Sequence, residues 1–399
     1  MSAQPTEGGA TCAIRYHPRM PRTARVMAGI PAGNRSLYRS IRFVVGDPTA
    51  IVEVDGVRTL ILRDIEMERA KRHARATNVA CPRDFEPAGG LSGDRETATA
   101  QALAECLRRA GVTEAIGDRT LPLIYAEHIR HVGIAVRYDA DFGVSERRSK
   151  DEQEVAWLAE AQAATEQAMR MACELVANAT ARADGVLEHD GSTLTSERVM
   201  TAIDVFLLGL GYENPQSIVA GGPVGADCHD HGHGELRTGE PVIIDIFPRN
   251  RTTLFNGDCT RTVVHGEVPG ELARMHEAVV AATAAAERAV RPGISGEVVH
   301  RATLEELSRR GYAHGQPPAD APDSWCGMTH GTGHGIGLDV HEPPLLDFKG
   351  LPLVESDALT IEPGLYCKAI GGVRVEDMVI VTRDGCRNLN ALPTGLGWR

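Results

Sequence analysis

Four carboxylates stand where the surrounding sequence reads as buried strand, and no other feature constrains the fold of this chain as much. Asp245 closes the apolar run Val242–Ile244, and Asp258 opens the strand-like Cys259–Val264. Glu362 follows Thr360 and Ile361, and Glu376 falls inside Gly372–Val381, which reads as one strand. The loop from Asp245 to Asp258 contains Pro, Gly and Asn, so a hairpin could bring these two side by side. Unpaired buried charges are costly, so something positive must hold them. Arg261 and Arg374 can offset part of the charge, whereas two divalent cations would offset all of it.

The segment HGTGHGIGLDVHE adds His330, His334 and His341 in a glycine-rich setting that leaves room for access. An oxygen-rich set with one imidazole suits Mn, Co, Zn or Fe(II), manganese foremost. Two such ions ~3.5–4 Å apart can share a hydroxide and polarise a carbonyl, which is chemistry for amide hydrolysis.

The rest of the chain narrows the class. Its 399 residues exceed one typical core, so two domains are expected. A net charge of −12 argues against a nucleic-acid partner. Nine cysteines, scattered without any C-x-x-C, give neither a disulfide framework nor a structural zinc site, and they fit a reducing cytosol. The first residues lack an apolar core of signal-peptide length, and no apolar stretch is long enough to span a bilayer. A cytoplasmic location without a membrane partner is the expectation.

Residues 1–20 read as an irregular arm. Residues 21–148 alternate strands and helices as a small α/β domain, including a hairpin in which Thr49–Val54 and Val57–Leu62 are joined by Asp55-Gly56. The charged stretch Glu146–Glu154 reads as a boundary, with Asp151 capping a long helix. Within residues 149–399, two helices and then strands occur twice. The helices start near Asp151, Thr195, Glu271 and Glu297, which suggests an internal pseudo-repeat. The Pro-Pro pairs at 317–318 and 343–344 read as loop-shaping.

These segments resemble the metal-binding motifs of the pita-bread metallopeptidases (peptidase family M24), which include methionine aminopeptidase, prolidase and Xaa-Pro aminopeptidase. The resemblance runs from about Lys150 to Val381. It implies that Asp245 chelates one metal, that His334 and Glu362 hold the other, and that Asp258 and Glu376 bridge. It also implies substrate contact at His229, assistance to the scissile amide at His341, proton handling at Glu362, and supporting roles for Tyr366 and Arg374. His330 matches either a substrate contact or a structural residue. The segment before about residue 150 resembles the creatinase/prolidase N-terminal domain, and GGVRVED resembles prolidases and Xaa-Pro aminopeptidases.

The implied fold is an N-terminal α/β domain followed by a pita-bread α/β domain with a curved antiparallel sheet. The implied activity is removal of an N-terminal residue from Xaa-Pro peptides by a metal-bridging hydroxide, in a homodimer. The chain departs from the family pattern at Asp-Ile-Phe-Pro, where many relatives have Asp-x-Gly, and in a longer Asp245–Asp258 loop. Both read as subfamily features that bear on substrate preference.

Taken singly, each residue has a plainer reading. Asp245 and Asp258 could be turn or cap residues, Glu376 a partner of Arg374, and His334 structural; their joint order favours the metal site. His231 and His233 read as solvated turn residues. Two rivals stand beside the main reading: a non-prolyl aminopeptidase or amidohydrolase with the same metals, and a non-catalytic binding protein. Cys228, Cys259 and Cys367 neighbour the motifs, where oxidation could disturb the site; the alternative is that they are small buried fillers.

Overall fold

The computed structural model describes residues 22–398, so the expected arm at 1–20 lies outside the described residues. The chain divides into two compact units, one ending at Gly143 and the other starting at Val144. The charged stretch expected at the boundary therefore belongs to the second unit. Arg147, Arg148 and Lys150 all make ion pairs within it.

In the first unit, alternating apolar residues build a six-stranded mixed sheet. Its order is Asn78–Ala80, Val57–Ile61, Thr49–Val54, Thr23–Gly29, Glu114–Gly117 and Ala135–Tyr138. Successive side chains of a strand point to opposite faces. Val26 accordingly packs with Leu103, Leu107 and Ile129, whereas Met27 packs with Leu37, Ile41 and Leu60. The predicted hairpin forms with positive φ at both Asp55 (52°) and Gly56 (79°), as a tight hairpin turn requires.

The second unit repeats one plan. The helix Glu152–Ala177 begins with a reciprocal capping box, Asp151 Oδ1 accepting from Glu154 N (2.8 Å) and Glu154 Oε2 from Asp151 N (2.9 Å). With Ser196–Gly209 it covers an antiparallel sheet of Ser217–Gly221, Pro241–Ile246 and Cys259–Val264. Met169, Val176, Ile203 and Leu207 meet Ile244, Ile246 and Val263 there. Helices Gly270–Ala289 and Gly296–Arg309 follow, then two further sheets. One is ordered Ala313–His314, Cys326–Met328, Gly364–Cys367, Gly371–Arg374. The other is ordered Glu342–Leu346, Gly333–Gly335, Ala358–Ile361, Asp377–Thr382, Gly385–Asn388.

Glu376 does not lie within a strand. The segment read as one strand, Gly372–Val381, splits into Gly371–Arg374 and Asp377–Thr382, which belong to different sheets. Its antiparallel neighbour splits at the same level, into Ala358–Ile361 and Gly364–Cys367. Ile361 pairs with Asp377 and Gly364 with Arg374, so the register is continuous across the break. Carried through, it sets Glu362 opposite Glu376. Pro363 has no N–H to give the ladder, and like charges directly opposite one another are unfavourable. Both favour a break at this point.

Smaller expectations also shift. Pro343-Pro344 lies in the edge strand Glu342–Leu346, not in a loop; edges tolerate a residue without an N–H. Asp190 and Gly191 form the turn of a small hairpin between Leu187–His189 and Ser192–Thr193.

Candidate metal centre

The five expected ligands converge in the second unit. Asp245 lies opposite Thr260 on the paired strands Pro241–Ile246 and Cys259–Val264, and Asp258 immediately precedes the second of these. Two positions before Thr260, Asp258 has the parity of the face that carries Asp245. Gln162 fixes Asp258 from the first helix: its Oε1 accepts from Asp258 N (2.9 Å) and its Nε2 donates to Asp258 O (2.6 Å). Glu376 Oε2 accepts from Thr260 Oγ1 (2.8 Å).

His334 sits on Gly333–Gly335. Its Nδ1 donates to Gly335 O (3.1 Å), which leaves Nε2 without a proton. That nitrogen faces Asp258 Oδ2 at 3.7 Å and Glu362 Oε1 at 3.5 Å. Lone pairs thus point at lone pairs, an arrangement that a cation makes favourable. Donor atoms of Asp258, His334 and Glu376 all lie within 4.8 Å of one another. Asp245 Oδ1 is buried without a hydrogen-bond partner.

The electrostatics agree. Burial first, then the charges of Glu376, Asp245 and Glu362, push the Asp258 carboxyl well above its ordinary value. Burial and the charges of Glu362 and Asp245 do the same at Glu376. Burial raises Glu362 to about 7, although Arg374 opposes this. Burial also lowers His334 to about 3, so its ring is neutral and free to act as a donor. These carboxylates carry more negative charge than the protein neutralises.

Arg374 supplies the nearest compensation: its Nη2 donates to Asp245 Oδ2 (2.7 Å) and its Nη1 to Tyr366 OH (2.9 Å). Tyr366 OH in turn donates to His330 Nε2 (2.7 Å), whose Nδ1 donates to Gly331 O (2.7 Å). Arg261, expected to share the compensation, does not face the carboxylates. Its guanidinium pairs with Asp377 Oδ1 (2.7 Å) and donates to Glu376 O (2.6 Å). Side chains alternate along the Cys259–Val264 strand, so Thr260 and Thr262 lie on the face opposite Arg261.

A cavity of about 530 Å³ opens over these groups. Asp245, Asp258, His334, Glu362, Arg374 and Glu376 line it, together with His229, His330 and His341. The His341 ring stands edge-on to His334, with centroids 4.3 Å apart. His231 is exposed, as sequence reading expected, but it also lines the cavity; its Nε2 meets Gln216 Nε2 at 2.6 Å. The glycines of HGTGHG do more than leave access. A Cβ on Gly333 would collide with Thr360 O, so the close approach of two backbones requires glycine there.

Sequence reading missed Thr260, Gln162 and Asp347, the last a further cavity residue. Gln162 left a signal, being a polar residue among Leu158, Ala161, Thr165 and Ala168 on the buried face of its helix. Of the three thiols singled out, Cys259 Sγ contacts Glu376 O (3.7 Å), Cys228 contacts Thr329 (3.9 Å), and Cys367 contacts Asp323 O (3.5 Å).

Residues 157–383 match the model of metallopeptidase family M24. Residues over 44% of the chain are 39% identical to "Probable dipeptidase PepE" of Mycobacterium tuberculosis, covering 44% of that protein. The chain is 28% identical to the "Xaa-Pro dipeptidase" of Pyrococcus furiosus over 55% of its own length and 59% of the other. It thus aligns with about half the length of these curated relatives. The crystal structure of the X-Pro aminopeptidase from Thermotoga maritima superposes with a TM-score of 0.76 at 22% identity, covering 94% of this chain and 97% of that one. The match spans more than half of the sequence and contains every residue of the carboxylate–imidazole cluster: the chain belongs to metallopeptidase family M24.

Proposed function

We propose that this chain is a metallo-exopeptidase that removes the N-terminal residue from Xaa-Pro peptides or dipeptides. One observation carries the reading. Asp245, Asp258, Glu362 and Glu376 converge with the unprotonated Nε2 of His334 on one cavity, and Arg374 is the guanidinium among its lining residues. Asp245 would hold one divalent cation, His334 and Glu362 a second, and Asp258 and Glu376 both. Manganese is the first expectation, with Co, Zn or Fe as alternatives. When bound, the cations supply Lewis acidity toward a carbonyl and make water a nucleophile near neutral pH.

The remaining roles fall to the chain itself. Glu362 takes the proton that the attacking water gives up. His341, edge-on to His334 at the cavity wall, donates a hydrogen bond to the oxygen of the scissile amide as charge develops there. His229, exposed at the mouth, binds the substrate. Arg374 orients Asp245 and, through Tyr366, fixes the tautomer of His330. The proline preference rests on the GGVRVED motif and on the relatives named above. The N-terminal unit is the creatinase/prolidase-like domain in this reading, and the assembly is a homodimer. Among the described residues no helix is long and apolar enough to cross a membrane.

The test is hydrolysis of Xaa-Pro dipeptides, Xaa-Pro-Xaa peptides, Met-peptides and non-prolyl dipeptides. Metal-stripped protein is used before and after addition of Mn, Co or Zn. Prolyl cleavage that needs metal and is lost in Glu376→Ala supports the proposal. Cleavage confined to non-prolyl peptides overturns the substrate class. Failure to bind metal overturns the centre itself.

A further inference from the structure

Cys326 and Cys367 stand directly opposite each other on paired antiparallel strands. Cys326–Met328 pairs with Gly364–Cys367, Cys326 facing Cys367 and Gly327 facing Tyr366. Opposite residues in such a pair share a face, with Cβ atoms ~4.5–5.5 Å apart, which borders the ~3.5–4.5 Å that a disulfide spans. Here the Cys367 thiol lies near enough to the Cys326 thiol to influence its ionisation. Neither Cys228 nor Cys259 has this arrangement: Cys228 meets a threonine hydroxyl, and Cys259 meets a backbone carbonyl and the Asn390 amide. Cys326 is half-buried, whereas Cys367 is buried.

We propose that Cys326 and Cys367 form a modification site, a cross-strand dithiol that a small-molecule disulfide oxidises reversibly to an intramolecular disulfide. The Cys326 thiolate attacks one sulfur of R–S–S–R, the reagent's S–S bond breaks, and one R–S⁻ departs. Cys367 then loses its proton, attacks Cys326 Sγ and expels the second R–S⁻. The protein gives up two protons and two electrons and gains one S–S bond; the reagent ends as two thiols. Burial, with Cys367 beside it, pushes the Cys326 thiol up to about 12, so the exchange is slow at neutral pH.

The position of the pair gives the bond its consequence. The segment between the two cysteines carries His330, His334, His341 and Glu362, and Tyr366 adjoins Cys367. A disulfide here closes that segment into a loop and restricts the excursions of two of the five expected ligands, His334 and Glu362. In a reducing compartment the thiols persist; under disulfide stress the segment is stapled.

The experiment uses the full-length reduced protein with oxidised glutathione at pH 7, 8 and 9, followed by trypsin digestion without reductant. Cleavage after Arg310, Lys349 and Lys368 puts each cysteine alone on its own peptide. The expected result is one linked pair, abolished by dithiothreitol, whose rate of formation rises about tenfold per pH unit. Cys326→Ser and Cys367→Ser, checked for native circular dichroism, each remove it. The proposal is overturned if both peptides stay reduced, or hold only glutathione, once the half-buried Cys81 is fully modified. Linkage of either cysteine to a different one also overturns it.

Discussion

Arg374 is the residue on which the rest of the centre leans. Its guanidinium is buried between Asp245 and Tyr366, and it is the positive charge set directly against the carboxylates. Arg374→Ala is expected to cost ~3–5 kcal/mol in the metal-free protein, because it leaves Asp245 buried and uncompensated. Guanidinium denaturation of the two forms checks this. Arg374→Lys should recover little of the loss, since one ammonium cannot reproduce the fork to Asp245 and Tyr366. Gln162→Leu should leave Asp258 N and O unsatisfied and cost ~2 kcal/mol, again read by denaturation, while weakening metal affinity in calorimetric titration. The four carboxylates of the candidate centre stood out in the sequence because carboxylates buried at strand ends are seldom stable without a cation to hold them. Gln162 and Thr260 were not, because their roles depend on which strand lies across from them.

At the level of elements, two devices hold the centre's frame. The Asp151–Glu154 capping box starts the helix that carries Gln162, and Asp151→Ala should cost ~1 kcal/mol, lowering Tm by a few degrees. Glu342, next to His341, is buried against Lys150 at 3.2 Å and against Arg147. Burial alone would raise its carboxyl; Lys150 and Arg147 more than reverse this and bring it from 4.5 to about 2. A depressed folded-state value stabilises the protein above the unfolded value. Glu342 therefore contributes about 3 kcal/mol above pH ~4.5, and this is lost as pH falls toward 2. Stability measured from pH 6 to pH 2 should show this slope in the wild type and a shallower one in Glu342→Gln. The variant should also be ~3–5 kcal/mol less stable at pH 7, where Lys150 loses its partner and Arg147 keeps only Asp339. Helix and hairpin starts agreed with the sequence to within about two residues, because caps and turns are local chemistry. The break at Glu376 was not legible: Gly372 to Val381 reads as one strand, and only the paired break beside Pro363 shows that two strands change sheets together.

For the whole second unit, metal and fold should be one equilibrium. Cations that bind the folded centre and not the unfolded chain stabilise it by ~4 kcal/mol at a thousandfold excess over Kd. Thermal unfolding should shift upward with added Mn and fall back with chelator. Glu376→Ala should remove most of the shift while remaining folded, since it deletes one of several mutually repelling carboxylates. A shift of equal size in the variant would place the bound ion elsewhere.

By itself the sequence determined which side chains can do chemistry, that four carboxylates needed a shared positive partner, and where local caps and turns begin elements. Those properties depend on residue type and on neighbours a few positions away. The tertiary structure decided how the charge is divided. It set Glu362 opposite Glu376, gave Arg374 to Asp245 and Arg261 to Asp377, and placed Cys326 against Cys367. Each of these depends on register between strands far apart in the chain, and a one-residue change of register would reverse the face that every side chain presents.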